Sequence, residues 1–514
     1  MQPTGLIRVV AALACACVCA VSASAQKPGR EVVVISDLHL GVGKAPDGTW
    51  QPTEDFRWPR ALQGFLDAMS SRGKDAVDLV IAGDFVELWQ PPAEVKCAPV
   101  SADLGCTVDE MLAVAAVVAR EHAGELAALR AFAAKGDNRV YLVPGNHDAG
   151  LLVDAVWEQF SGPLGVGNGR IVLVPSGVWA SADGRIVVEH GHQIGADVNG
   201  YPEWPRIVRT QDGKQYVPRS WGEQFVQSLF NAQEAAYPTI DNLSPESAGA
   251  RYRMADRGLW GSAADMARFV AFNLFETSAT QKRKALGAPT AHDDPRTRWN
   301  VDLARDAGHR LFGAALPAND PFKAELAADN AQSAELRRAL DSLAKDPARM
   351  PDADIRALCD LASATAADGW KLCRPAALGA MLESQFVPLR SVLSSHLAGR
   401  SKEHKGMSIF IYGHTHAMQP RWGLSLANGA RIDVLNTGAF QRLVDEEGFL
   451  SRIPTGSSAA ETLRRLSPED LAPCYGVVTV SYAGGQPDPK AQLWWMPEAS
   501  AEGRLISVGD PRCK

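Results

Sequence analysis

Two aspartates, one asparagine and four histidines stand in five short, widely separated segments, each directly behind a run of apolar residues. The segments are VVVISDLHLG with Asp37 and His39, LVIAGDFVELW with Asp84, VYLVPGNHD with Asn146, IVVEHGHQ with His190, and IFIYGHTH with His414 and His416. Carboxylate, amide and imidazole without thiolate are hard and borderline donors, suited to Mn, Fe, Zn, Ni or Co rather than to a soft metal. Seven donors overfill one tetrahedral centre. They suit two ions about 3.5–4 Å apart sharing a carboxylate, an arrangement that can clamp both sides of an in-line displacement at phosphorus. Taken singly, a histidine is more often a hydrogen-bonded structural residue than a ligand, and D-x-H or G-D recurs by chance. The inference rests on the ordered set.

Elements must bring these segments together. Each apolar run reads as a buried strand, and functional loops of layered α/β folds gather at strand carboxyl ends. The pattern predicts a helix over 58–70, a strand over 77–82, a loop over 91–106 and one long helix over 108–134. Strands follow over 140–143, 171–174 and 185–189, the last two delivering His190. Leu389, Leu393 and Leu397 mark a helix before a strand over 407–412. A strand over 433–435 leads into Asn436-Thr437-Gly438, and 475–482 with 491–494 reads as a closing hairpin. The span 207–378 is rich in Ala, Leu and charge, broken by Gly and Pro, and reads as several short helices.

Taken in order, D-x-H, G-D, G-N-H-D, H-G and G-H-T-H resemble the calcineurin-like metallophosphoesterase superfamily over about 30–206 and again over 406–495. The resemblance implies an α+β fold, a four-layer α/β/β/α sandwich with a mostly helical insertion. The catalytic domain would then be discontinuous, 26–206 with 379–514, and 207–378 would be an insertion or cap. The resemblance also implies roles. Asp37, His39 and His416 would hold one metal, Asn146, His190 and His414 the other, and Asp84 would bridge them, with a hydroxide between the ions as nucleophile. His147 would protonate the leaving oxygen or stabilise developing charge. Glu87 would orient it from a position where many relatives carry Asp. His192 could be outer-shell, catalytic or merely exposed, and Asp148 would cap or orient its turn. The wording of SDLHLG, GDFVELW, GNHD and HGHQ is most similar to the branch containing UDP-2,3-diacylglucosamine pyrophosphatases. That substrate is cytoplasmic, so its transfer does not follow.

Residues 1–25 carry one charge at Arg8, an apolar stretch over 9–21 and Ala23-Ser24-Ala25 before Gln26, the pattern of a signal peptide cut after Ala25. The apolar stretch is shorter than the roughly 20 residues of a membrane span, and an uncleaved anchor is the alternative. Without the leader, nine cysteines become six. An even number in an exported chain suggests disulfides. Closeness in sequence favours Cys97–Cys106 and Cys359–Cys373, leaving Cys474 with Cys513, the alternative being free buried cysteines. With 46% hydrophobic and 22% charged residues, the 514-residue chain can build large cores, and its net charge of −7 provides no global basic field for nucleic acid.

The expected function is therefore that of an exported dinuclear metal-dependent hydrolase of small-molecule phosphate esters with two divalent ions. The alternatives are a phosphodiesterase or pyrophosphatase of a nucleotide- or lipid-linked substrate, and a metal-binding surface protein without turnover. Retention of every expected donor together with His147 favours the enzyme. Arg206, Arg251, Arg253 and Arg257 could meet a second anionic group, and Trp204, Trp221 and Trp260 could stack on a base or sugar, although each is more commonly solvated or packed.

Overall fold

The computed structural model describes residues 30–97, 104–195, 199–227, 231–244, 390–500 and 502–513, with isolated positions 249, 334 and 338. The leader, most of the span 207–378, and Arg251, Arg253, Arg257 and Trp260 lie outside the described residues. The runs EVVVI and VDLVIA form strands β1 (Glu31–Ile35) and β2 (Val77–Ala82), buried at every position. Continuous burial is the signature of a central parallel strand covered on both faces. They pair in parallel with each other, and the series continues through β4 (Arg139–Val143) and β5 (Ile171–Leu173), β3 (Leu104–Thr107) lying elsewhere. On the other side of β1 an antiparallel hairpin, β15 (Cys474–Ala483) and β16 (Gln486–Trp495), and β17 (Arg504–Ser507) complete seven strands. A second sheet of five strands runs β12 (Gln419–Ser425), β13 (Arg431–Asn436), β11 (Ile409–Tyr412), β7 (Ile186–Glu189) and β6 (Val178–Ala180).

Side-chain alternation then dictates the layers. Val32, Val34, Val80 and Val143 of the first sheet meet Ile186, Val188, Ile409, Ile411 and Leu435 of the second in one apolar core. The opposite faces of the same strands are covered by helices. Val33, Ile35, Leu79 and Ile81 pack on α1 (Pro59–Arg72), α2 (Val108–Glu121), α3 (Ala123–Ala134) and α4 (Asp154–Leu164). Val187, Phe410 and Val434 pack on Leu393 and Leu397 of the helix Arg390–Glu403. Helix, sheet, sheet and helix make the four-layer α+β sandwich that the motif order implied.

Two local readings are corrected, and one short strand was not read at all. The single helix expected over 108–134 is two, broken at His122 (φ −104, ψ 26), which is buried and placed 3.4 Å from Glu54 and 3.6 Å from Glu125. The apolar period runs on through the break, so the spacing alone does not show it. Within the expected loop 91–106, Leu104–Thr107 is a strand because β9 (Lys214–Pro218) pairs with it, and Thr107 then caps α2 in a reciprocal pair with Glu110. The short β6, three residues long, carries too little pattern to be read. The described start of the span 207–378 holds the hairpin of β8 (Arg209–Gln211) with β9, a short helix Trp221–Phe225, and β10 (Leu243–Ser244), which pairs with β14 (Val444–Asp445). Disulfides join Cys97 to Cys106, as closeness in sequence suggested, and Cys474 to Cys513, the pair left over, while Cys359 and Cys373 lie outside the described residues. Among the described residues, no helix is long and apolar enough to cross a membrane.

Candidate metal centre

The motif loops leave the carboxyl ends of β1, β2 and β4 in one sheet and of β7 and β11 in the other, and they meet where the two sheets face each other. The structure brings all seven expected donors together. Ligand atoms of Asp37, His39 and His416 lie within 4.8 Å of one another, as do those of Asp84, His190 and His414. His190 Nε2 is 2.9 Å from both Asn146 Oδ1 and Asp84 Oδ2, and the same Asp84 oxygen is 3.8 Å from His39 Nε2. Asp84 therefore faces both groups of donors.

Burial works against ionisation of Asp84, yet the imidazoles of His190, His147 and His39 outweigh it and hold the carboxyl well below its usual range. Asp37 is lowered in the same way by His416 and His190 despite its burial. For His190 burial pulls down, but Asp84 and Asp37 push its pKa up to about 9. Without a cation, the cluster needs protonated histidines to balance its carboxylates. His39 is 3% exposed, and its Nε2 has no hydrogen-bond partner among the described residues. An orphaned buried imidazole nitrogen facing ionised carboxylates, with every donor hard or borderline, fits a pair of divalent cations.

Tight approach of the loops explains the glycines in the motifs. A Cβ on Gly145 would sit 2.2 Å from Asp84 Oδ1 and 2.6 Å from the Asp84 amide nitrogen. On Gly413 it would sit 2.4 Å from Ser36 Oγ and 2.6 Å from Asp37 Oδ2. Backbone groups then bind the donors. The His147 amide donates to Asp84 Oδ1 at 2.8 Å, and the His414 amide reaches Asp37 at 3.2 Å. Asp148 clamps two loops, accepting from the Gly145 amide at 2.6 Å and the Phe85 amide at 2.7 Å, and burial together with Asp84 pushes its pKa up to about 7.

His147 stands at the edge of this group, its side chain 18% exposed, with Nδ1 2.5 Å from Glu87 Oε2. The same carboxylate oxygen is 3.0 Å from His39 Nδ1, and Glu87 Oε1 accepts from the Trp89 amide at 2.6 Å. Burial raises the Glu87 pKa, but His147 and His39 hold it at about 2. His192 is 3% exposed, with its ring 5.4 Å from His190 and edge-on to Trp204 at 4.5 Å. Arg206 is exposed and paired with Glu203 at 2.9 Å, so it lies apart from the donors' network.

Several residues at the site were given no role by the sequence. Trp89 stacks on His147 with ring centres 3.8 Å apart. Tyr201 donates its hydroxyl to the Asn146 carbonyl at 3.1 Å. Asn436 donates to the Gly413 carbonyl at 2.9 Å and holds the G-H-T-H turn. Asp55 has a carboxylate oxygen within 4.8 Å of His39 and Glu87. Aromatic identity and the N-T-G turn were legible, but their contacts depend on loops from distant parts of the chain.

Residues 31–240 match the family model described as calcineurin-like phosphoesterase. No curated protein matches the chain. Among solved structures it is similar to a dimetal phosphatase from Danio rerio at 13% identity, the alignment covering 93% of this chain and 99% of that one with a TM-score of 0.29.

Proposed function

We propose that this chain, a metal-dependent phosphoesterase by its calcineurin-like domain, is an exported two-metal hydrolase of small phosphate esters. The observation that carries the reading is the convergence of seven donors from five strand ends around the shared carboxylate of Asp84. In this reading Asp37, His39 and His416 hold one ion and Asn146, His190 and His414 the other. Two divalent ions bound there would polarise the phosphate and supply a water whose pKa is lowered to near neutrality.

The chain's own groups complete the chemistry. Glu87, ionised at ordinary pH, engages His147 through Nδ1, leaving Nε2 as the atom that meets the substrate. There His147 donates a proton to the leaving oxygen. His192 and Asp148 act from outside the donors, one on the aromatic wall and the other as a loop clamp. Export is supported by the leader pattern and by two disulfides, which persist in oxidising compartments. Metals read only phosphate oxygens, so substrate selectivity falls to the walls and to the span following 206.

The test is metal analysis of the purified protein, followed by hydrolysis of p-nitrophenyl and bis-p-nitrophenyl phosphate with Mn, Fe, Zn, Ni or Co. Close to two ions per chain and turnover are expected, and the ratio of the two rates separates monoesterase from diesterase. Bound metal without turnover on any ester would instead make the chain a metal-binding surface protein.

A further inference from the structure

We propose that Trp89 is a positioning residue for proton transfer, holding the plane of the His147 ring so that Nε2 points at the leaving oxygen. The inference rests on His147 being the proton donor. The hydrogen bond between Nδ1 and Glu87 fixes one edge of the imidazole, and the His39 ring meets it edge-on with centres 4.5 Å apart, but neither contact covers the open face of the ring. Trp89 covers that face, the two ring planes lying 27° apart with centres 3.8 Å apart.

Trp89 is held firmly enough to serve. It is 3% exposed, its amide donates to Glu87 Oε1 at 2.6 Å, and its carbonyl accepts from Gln227 Nε2 at 2.7 Å. Gln227 is tied in turn to Glu223 at 3.2 Å. The indole edge passes 3.4 Å from where a Cβ on Gly222 would lie, so the short helix Trp221–Phe225 backs it. Glu87 therefore fixes one edge of His147 while also holding the backbone of the residue that fixes its face. The two constraints form one unit.

The metal-loaded enzyme is compared with Trp89→Leu and Trp89→Phe on p-nitrophenyl phosphate, whose leaving group needs little protonation, and on an alkyl phosphate, whose leaving group needs it. Trp89→Leu should lose roughly tenfold on the alkyl ester and less than about twofold on the nitrophenyl ester, with Trp89→Phe restoring most of the loss. In a His147→Ala background, Trp89→Leu should cost nothing more. Proton NMR of the metal-free protein provides a readout independent of turnover. The ring C–H resonances of His147, assigned by their absence in His147→Ala, should move downfield in Trp89→Leu as the indole ring current is lost. Equal losses on both esters, an undiminished loss in the His147→Ala background, or unmoved resonances would overturn the proposal alone. A His147→Ala enzyme as fast as wild type on the alkyl ester would overturn the proton-donor reading, and the proposal with it.

Discussion

Asp37, His39, Asp84, His414 and His416 all sit on left-handed backbone, with φ between 50° and 71°. They are five of the eight non-glycine residues that do so among the described residues, so backbone strain is concentrated at the candidate site. Such a conformation costs on the order of 1–3 kcal/mol per residue and persists only where surrounding bonds over-determine it. Those bonds run between loops: Asp37 to the Gly83 carbonyl, His39 to the Asp84 carbonyl, and His147 to the Asp84 carboxylate. Gly145→Ala tests this directly, since its methyl group would fall on Asp84 oxygen and backbone nitrogen together. We expect the bound metal to fall below two ions per chain and kcat/KM to drop on the order of 100-fold. A Gly145→Ala protein with full metal content and wild-type turnover would show that the loops are slack.

Among the elements, the helix Arg390–Glu403 is docked by more than its apolar stripe. Leu393 and Leu397 are buried against the second sheet, but Glu189, the last residue of β7, reaches the same helix and binds both His396 and Arg400. Glu189 is 3% exposed and precedes His190, so the clamp sits directly behind a candidate ligand. Burial raises the pKa of the Glu189 carboxyl, but His396 and Arg400 outweigh it and hold it lowered. Removing a partner of a fully buried pair costs about 3–5 kcal/mol. Arg400 keeps some solvent contact and His396 remains, so Arg400→Met should destabilise by about 2 kcal/mol in urea unfolding of the metal-loaded protein. The same substitution in a Glu189→Gln background should cost at least about 1 kcal/mol less, because neighbouring members of one network are not additive. Strict additivity would mean that helix and strand are joined by apolar contact alone.

The whole molecule carries a pH dependence of its own, set away from the metal donors. His122 joins α2 to α3, and although burial lowers its pKa, Glu125 and Glu54 push it up to about 9. Its folded value lies above the unfolded value of about 6.5. The bridge therefore contributes its full stability below about pH 6.5, and that contribution is lost as pH rises through about 9. It amounts to roughly 3 kcal/mol at most. Urea unfolding of wild type and His122→Gln should show wild type more stable at pH 6 and the two converging above about pH 9. A gap unchanged across that range would mean that His122 holds the junction by packing rather than by charge.

Chemistry was the most legible layer because donor type and local order are properties of short segments. Asp37, His39, Asp84, Asn146, His190, His414 and His416 stand where strand-end motifs place them, and β1, β2, β4, β7 and β11 could be found from apolar runs. Reading 108–134 as one helix failed because the apolar period continues through the break at His122, whose buried side chain meets Glu54, 68 residues away. Reading 104–107 as loop failed because its strand character comes from pairing with β9. Trp89 on the face of His147, Glu87 shared between two histidines, and Glu189 gripping a later helix were decided only by tertiary structure. The physical reason is range: composition and periodicity record what each residue does with neighbours along the chain, whereas aiming a ring or balancing a buried charge depends on groups that only folding brings near.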